Sequence, residues 1–237
     1  MSPTLAFDTC LGACSVAVRL RGADGGWTVR EDYRAMATGH AEALLPMIEQ
    51  VMADAGVAFG DLKRIAVTSG PGSFTGVRIG LSAARGFKLA LGLPVATLTS
   101  LMVMAARAET LIASGQLGFE RPGAALVPCV DARGGNIYAE AFGADISVSL
   151  TPPRLWPPEE LASALMGWRI IAVGSGAQLL ADAATAAGGD AVAALPGLQP
   201  HARHLALLAD AAPVPARLDP LYLRETDAKP MAAQARP

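Results

Sequence analysis

Residues 69–92, SGPGSFTGVRIGLSAARGFKLALG, set Gly70, Gly72 and Gly76 at the junction of an apolar strand and a helical pattern. A glycine-rich turn in that position is the usual cradle for phosphate, because backbone N–H groups converge at the helix start. The spacing fits neither familiar version. A Walker A loop requires lysine directly after its last glycine, and here Val77 follows Gly76. A dinucleotide fingerprint requires G-x-G-x-x-G, whereas these glycines read G-x-G-x-x-x-G. Gly72, Gly76, Gly80 and Ala84 instead recur every four residues, leaving a groove on one helix face. Glycine inside a helix costs ~1 kcal/mol relative to alanine, so close approach of another backbone is the expected reason. Ser73 and Thr75 are the N-cap candidates.

Other reactive side chains are sparse. Asp8-x-x-x-Gly12 and Asp131-x-x-x-Gly135 each end an apolar strand ahead of a turn and a second strand. Cys10-x-x-x-Cys14 is half a zinc site with no second pair nearby, which favours buried thiols. His201 and His204 stand close together in a proline-rich stretch and read as surface residues.

The elements that must carry these residues follow from periodicity. Leu5–Arg21 reads as a β-hairpin turning at Leu11–Ala13, and Trp27–Tyr33 as a third strand. His40–Gly56 is helical, with Leu44, Leu45, Met47, Ile48, Val51, Met52 and Ala55 on one arc and Glu42, Glu49 and Gln50 opposite. Pro46 suits only the start of that helix. Arg64–Ser69 is a buried strand. The helix over 74–91 sets Ile79, Ala83, Phe87, Ala90 and Leu91 on a buried side. Phe74, Leu81 and Leu89 lie among Arg78, Ser82, Arg85 and Lys88 on a mixed face. Residues 89–106 carry no charge, but Gly92-Leu93-Pro94 interrupts them, so a helix end feeding a strand is expected there. Ala125–Phe142 repeats the hairpin pattern, which points to a duplicated α/β core. Thr151–Pro158 reads as a proline-rich connection, Arg169–Ala186 as strand, turn and helix, and 203–212 as a short helix. Pro220–Arg224 reads as a closing element and Glu225–Pro237 as a loose tail.

With 237 residues, 52% hydrophobic and 17% charged, the composition argues for a folded chain rather than a disordered one. A net charge of −2 supplies no general basic field, so any contact with nucleic acid needs a partner's positive surface. Three cysteines suit a reducing compartment. MSPTLAFDTC has no basic residue before its apolar run and carries Asp8 within it, so a signal peptide is not expected. The expectation is a soluble, cytoplasmic protein with no membrane contact.

One combination of motifs is specific. GPGSFTGVRIG at 70–80, DT at Asp8-Thr9, H-x-x-x-LLP at 40–46, Asp131-Ala-Arg and PLYLR at 220–224 together resemble the TsaB (YeaZ) family. The resemblance spans residues 5–224 and is sharpest in the first 140. It implies an α/β, actin-like (ASKHA) fold of two RNase H-like halves, here 1–110 and 111–224 with a tail at 225–237. It also implies a non-catalytic scaffold, without cofactor or metal, for making threonylcarbamoyladenosine beside the anticodon of tRNAs that read codons beginning with A. The implied partners are a paralogous TsaD-type transferase as heterodimer and a TsaE-type ATPase, with tRNA contacted only within the complex. The isolated chain could pair with itself through an apolar helix face. Helices 40–55 and 74–91 would form the partner interface, with His40, Leu44, Met47, Ile48, Val51, Phe74, Arg78, Leu81 and Arg85 as candidates.

Two enzymatic readings compete. An actin-like ATPase or kinase would hold phosphate and magnesium between the two hairpins, casting Asp8, Thr9, Asp131, Gly174 and Gly176 as nucleotide loops. The first turn, DTCLG, lacks the glycine two residues after the aspartate that active members carry, so turn-capping roles are expected instead. A metal-dependent transferase like TsaD would need H-x-x-x-H, and Leu44 stands at the second position after His40.

Overall fold

The computed structural model describes residues 3–22, 25–115 and 121–224. The proposed tail at 225–237 lies outside the described residues. The chain folds in the order β1 (Thr4–Asp8), β2 (Ala13–Arg21), β3 (Trp27–Ala35), α1 (His40–Ala55), β4 (Arg64–Thr68), α2 (Phe74–Leu91), β5 (Val95–Leu98) and α3 (Ser100–Ala113). It then repeats the series: β6 (Ala124–Asp131), β7 (Ile137–Phe142), β8 (Ser149–Trp156), α4 (Pro158–Ala164), β9 (Arg169–Val173), α5 (Ala177–Ala186), β10 (Ala191–Ala194) and α6 (Ala202–Leu208).

The two sheets, β3-β2-β1-β4-β5 and β8-β7-β6-β9-β10, share one topology. In each, the first three strands run antiparallel and the remaining two join in parallel. The duplication read from the paired hairpins is therefore present strand for strand. The fold is the α/β, actin-like arrangement of two RNase H-like halves. Central strands such as β1 are buried throughout, as parallel strands covered on both faces must be. β8 corrects the reading of 151–158 as a connection. It is an edge strand, and Pro152 and Pro153 fall in a register irregularity between the Ala141–Thr151 and Ala139–Arg154 pairs, so the edge and the bulge together accommodate their missing N–H groups. Pro46 sits in the second turn of α1, deeper than its sequence reading allowed.

The third helix of each series crosses to the other sheet. Leu101, Met104, Ala105 and Ala108 of α3 join Leu126, Phe142, Ile171 and Val173 in one core. Ala202, Leu205, Ala206 and Ala209, on and just after α6, join Ala6, Ala17, Ala66 and Ala96 of the first sheet in another. Those four sheet alanines are register partners across four adjacent strands, Ala17–Ala6–Ala66–Ala96, making a flat strip where a helix can sit close. A boundary at 110/111 falls inside α3.

The start of α6 overturns one sequence expectation. His201 caps the helix, accepting from the Arg203 N–H at 3.2 Å, and stacks on Tyr33 with ring centroids 4.8 Å apart. His204 is buried rather than on the surface, and its Nδ1 has no hydrogen-bond partner among the described residues. Burial first, then the neighbouring His201, Arg107 and Arg203, lower its pKa from 6.5 to about 4. The folded state thus keeps His204 neutral where the unfolded chain would already bind a proton. Its contribution is intact above pH 6.5 and is lost as pH falls towards 4, at up to ~1.4 kcal/mol per pH unit. Asp8 and Glu140, whose carboxyl pKa values are raised by burial, act in the opposite sense. We therefore expect His204→Gln to flatten the acid side of the stability profile relative to the parent chain. Urea denaturation of both proteins between pH 7 and pH 5 reads this, and parallel profiles would refute it.

Candidate partner-binding face

The glycine-rich turn is a joint between backbones. A Cβ on Gly72 would come within 2.3 Å of the Cys10 carbonyl oxygen, and one on Gly76 within 2.1 Å of the Thr9 carbonyl oxygen. One on Gly80 would meet Thr9 Oγ1 at 2.9 Å. The end of β1 therefore lies directly on α2. The Ser73 N–H donates to the Cys10 carbonyl at 2.8 Å, and Thr9 Oγ1 donates to the Gly76 carbonyl at 2.7 Å. Ser73 is the N-cap, accepting from the Gly76 N–H at 3.0 Å.

The candidate nucleotide residues are engaged in turns and packing. Asp8 has no exposed surface; its Oδ1 accepts from the Thr68 hydroxyl and from the Cys10 N–H at 3.3 Å. Burial raises its pKa, against which these hydrogen bonds and His40 favour the carboxylate. Asp131 is exposed and caps the same kind of turn, accepting from the Arg133 N–H at 2.7 Å. A Cβ on Gly174 would strike the Cys129 carbonyl at 2.4 Å, and one on Gly176 would strike Ile137 at 2.8 Å. These glycines perform in the second half the packing that Gly72 and Gly76 perform in the first. Asp8 as found offers no surface to a ligand.

Between α1 and α2 lies an open groove of about 570 Å³ lined by Ala41, Leu44, Leu45, Phe74, Arg78 and Ile79, among others. Leu45 is 52% exposed and Phe74 49% exposed, large apolar side chains left in solvent on facing helices. Here the sequence-derived interface needs correction. Met47, Ile48 and Val51 of α1 and Leu81 of α2 are essentially fully buried in the first half's core, and Leu44, at the floor of the groove, is 1% exposed, so these side chains offer a partner almost no surface. His40 is also buried, and its Nε2 is 3.0 Å from the Leu11 carbonyl, fixing the β1–β2 turn. Phe74, Arg78 and Arg85 remain on the surface. Leu45, placed by periodicity on the same apolar arc but not among the interface candidates, is exposed.

The closing element read at Pro220–Arg224 is the end of a longer feature. Residues 216–222 run antiparallel to α2 as a strap: Lys88 Nζ donates to the Ala216 carbonyl at 3.2 Å, Arg85 to the Leu218 carbonyl, and Arg78 Nε to the Tyr222 hydroxyl at 2.9 Å. The Tyr222 ring stacks on Phe74 at 5.4 Å, and the Arg78 guanidinium lies 3.6 Å from the centre of the Phe74 ring. The Leu221 N–H donates to the Ser69 carbonyl at 2.7 Å, so the strap is anchored at the β4 end.

Residues 34–146 match the family model described as TsaD: tRNA N6-adenosine threonylcarbamoyltransferase. The "tRNA threonylcarbamoyladenosine biosynthesis protein TsaB" of Escherichia coli is 33% identical over 162 residues, covering 68% of this chain and 61% of that protein. The Haemophilus influenzae protein of the same name is 36% identical over 135 residues, covering 56% of this chain and 51% of that protein. The solved structure of YeaZ from Pseudomonas aeruginosa superimposes with a TM-score of 0.75 at 28% identity, covering 94% of this chain and 100% of that one. The chain belongs to the TsaB (YeaZ) family. It matches about half to three-fifths of the length of these two curated TsaB relatives. The part shared with the TsaD family model runs from the end of β3 to just after β7, and so contains both helices of the groove. In this TsaB-family chain, the position four residues after His40 is Leu44, an apolar side chain 1% exposed that offers no ligand atom. Among the described residues no helix is long and apolar enough to cross a membrane.

Proposed function

We propose that this chain is a non-catalytic partner subunit in threonylcarbamoyladenosine biosynthesis on tRNA, forming a heterodimer with a TsaD-type transferase through the α1–α2 face. The observation that carries the reading is the groove itself, where Leu45 and Phe74 stand half-exposed above a packed core. Apolar side chains held rigidly in solvent on two adjacent helices suit a docked helix pair from a paralogue. A TsaE-type ATPase joins the assembly, and tRNA is met only within it, since the net charge of −2 gives this chain no phosphate-binding field. The buried Asp8 and the packed Gly174–Gly176 turn favour this reading over ATP turnover by the chain.

Size exclusion with light scattering tests the proposal, using the chain alone and mixed with the TsaD-type protein of the same organism. A species at the heterodimer mass is expected, displacing any self-association. Separate elution of the two proteins across salt and nucleotide conditions would overturn it.

A further inference from the structure

Beside the groove, the strap-side flank of α2 carries a row of cations, and the one carboxylate lining that flank among the described residues, Asp219, lies 3.7 Å from Arg217. Arg78, Arg85 and Lys88 lie with Phe74 inside an arc of about 80° on α2, by the helical angle of 100° per residue. The helix Phe74–Leu91 contains no acidic side chain. Each cation donates to a neutral acceptor on the strap, namely the Tyr222 hydroxyl and the Leu218 and Ala216 carbonyls. None of the three takes part in an ion pair among the described residues. Hydrogen bonds to carbonyls fix the cations in place without cancelling their charge. Arg78 lines both the apolar groove and the strap side, so groove, cation row and strap form one continuous surface. The opposite bank, α1, exposes Glu42 and Glu49 beside Leu45.

From this polarity we infer the chemistry of the occupant, on the basis of the partner-subunit reading above. It is a helical protein segment with an apolar stripe for Leu45, Phe74 and Ile79, and with carboxylates along the edge that meets α2. The strap acts as the positioning element, holding Arg78 over Phe74 and Arg85 and Lys88 in line for those carboxylates. Such rim charges act chiefly on association rate and partner choice, and they respond to ionic strength. The apolar stripe supplies the remaining affinity.

The test is a binding titration against the TsaD-type protein from low to high salt, comparing the parent chain, Arg78→Gln/Arg85→Gln and Arg78→Glu/Arg85→Glu. Melting temperatures are recorded for all three. For the parent chain, association should weaken by about tenfold across the salt series, as expected for charge-steered docking. The Gln pair should bind more weakly at low salt with a flattened salt slope, and the Glu pair more weakly still. The salt series on the unaltered chain stands whether or not the variants fold. Salt-independent binding, with the Gln pair unchanged, would overturn the acidic-partner inference and leave the partner-subunit reading intact. Absence of binding by the parent chain at every salt concentration would overturn both. If unmodified tRNA bound the free chain through these cations, or if the substitutions altered only self-association, the inference would also fall.

Discussion

Gly76→Ala should cost the protein about 3 kcal/mol of stability or more, whereas Gly86→Ala on the same helix should raise it by up to ~1 kcal/mol. The chemistry of the two substitutions is identical and both remove a helix-interior glycine. At Gly86 an added Cβ meets nothing within 4 Å, so the helix simply gains the propensity of alanine. At Gly76 the same atom would lie 2.1 Å from the Thr9 carbonyl oxygen and 2.7 Å from Ser73 Oγ. The first obstacle is backbone at the end of the central strand and the second is the N-cap hydroxyl, so neither can swing aside as a flexible side chain would. Relief requires α2 to move off β1, which breaks the Ser73–Cys10 and Thr9–Gly76 hydrogen bonds and opens the core around Val77 and Leu81. Urea denaturation of the two variants beside the parent chain decides the matter. Equal stability of Gly76→Ala and the parent would mean that the β1 turn is not seated on α2.

That joint was legible in the sequence because four-residue spacing of small residues has few explanations in a soluble helix. The hairpins were legible for a similar reason: paired apolar runs and the repeated Asp-x-x-x-Gly mark strand and turn together. The exchange of α3 and α6 between the sheets was not. Their contact faces are largely alanine, leucine and methionine on segments apolar nearly all round, and such segments carry no directional signal. The strap's course along α2 was hidden more deeply still. Two of its three clasps on α2 use backbone carbonyls, which every sequence supplies, so only the fold could reveal them. His204 was misread because a proline-rich neighbourhood suggests surface, while burial here is imposed by the cross-over of α6 onto the first sheet.

The same limit explains the split of the interface candidates. A helical wheel assigns residues to a face but cannot say which face is the inner one when apolar side chains cover most of the circumference. α2 is gripped by β1 and β4 beneath and by the strap along its flank, so Leu81 turns inward although its wheel neighbours are Arg78 and Arg85. Leu81→Glu is therefore expected to unfold the chain or cost about 4 kcal/mol or more, since it trades a packed core side chain for a carboxylate that must be desolvated or force its way out past the strap, and pairing with Arg78 or Arg85 offsets only part of that. Leu45→Glu, one helix away and 52% exposed, should change stability by no more than ~0.5 kcal/mol and still abolish heterodimer formation. Leu45 faces the groove from α1, where Glu42 and Glu49 already crowd the bank with negative charge, so another carboxylate is repelled as well as desolvated when the partner docks. Thermal melts combined with the light-scattering assay separate the two effects. A stable Leu81→Glu protein would mean that α2 presents this face to solvent, and a Leu45→Glu protein that still captured the TsaD-type partner would place the docking surface elsewhere on the molecule.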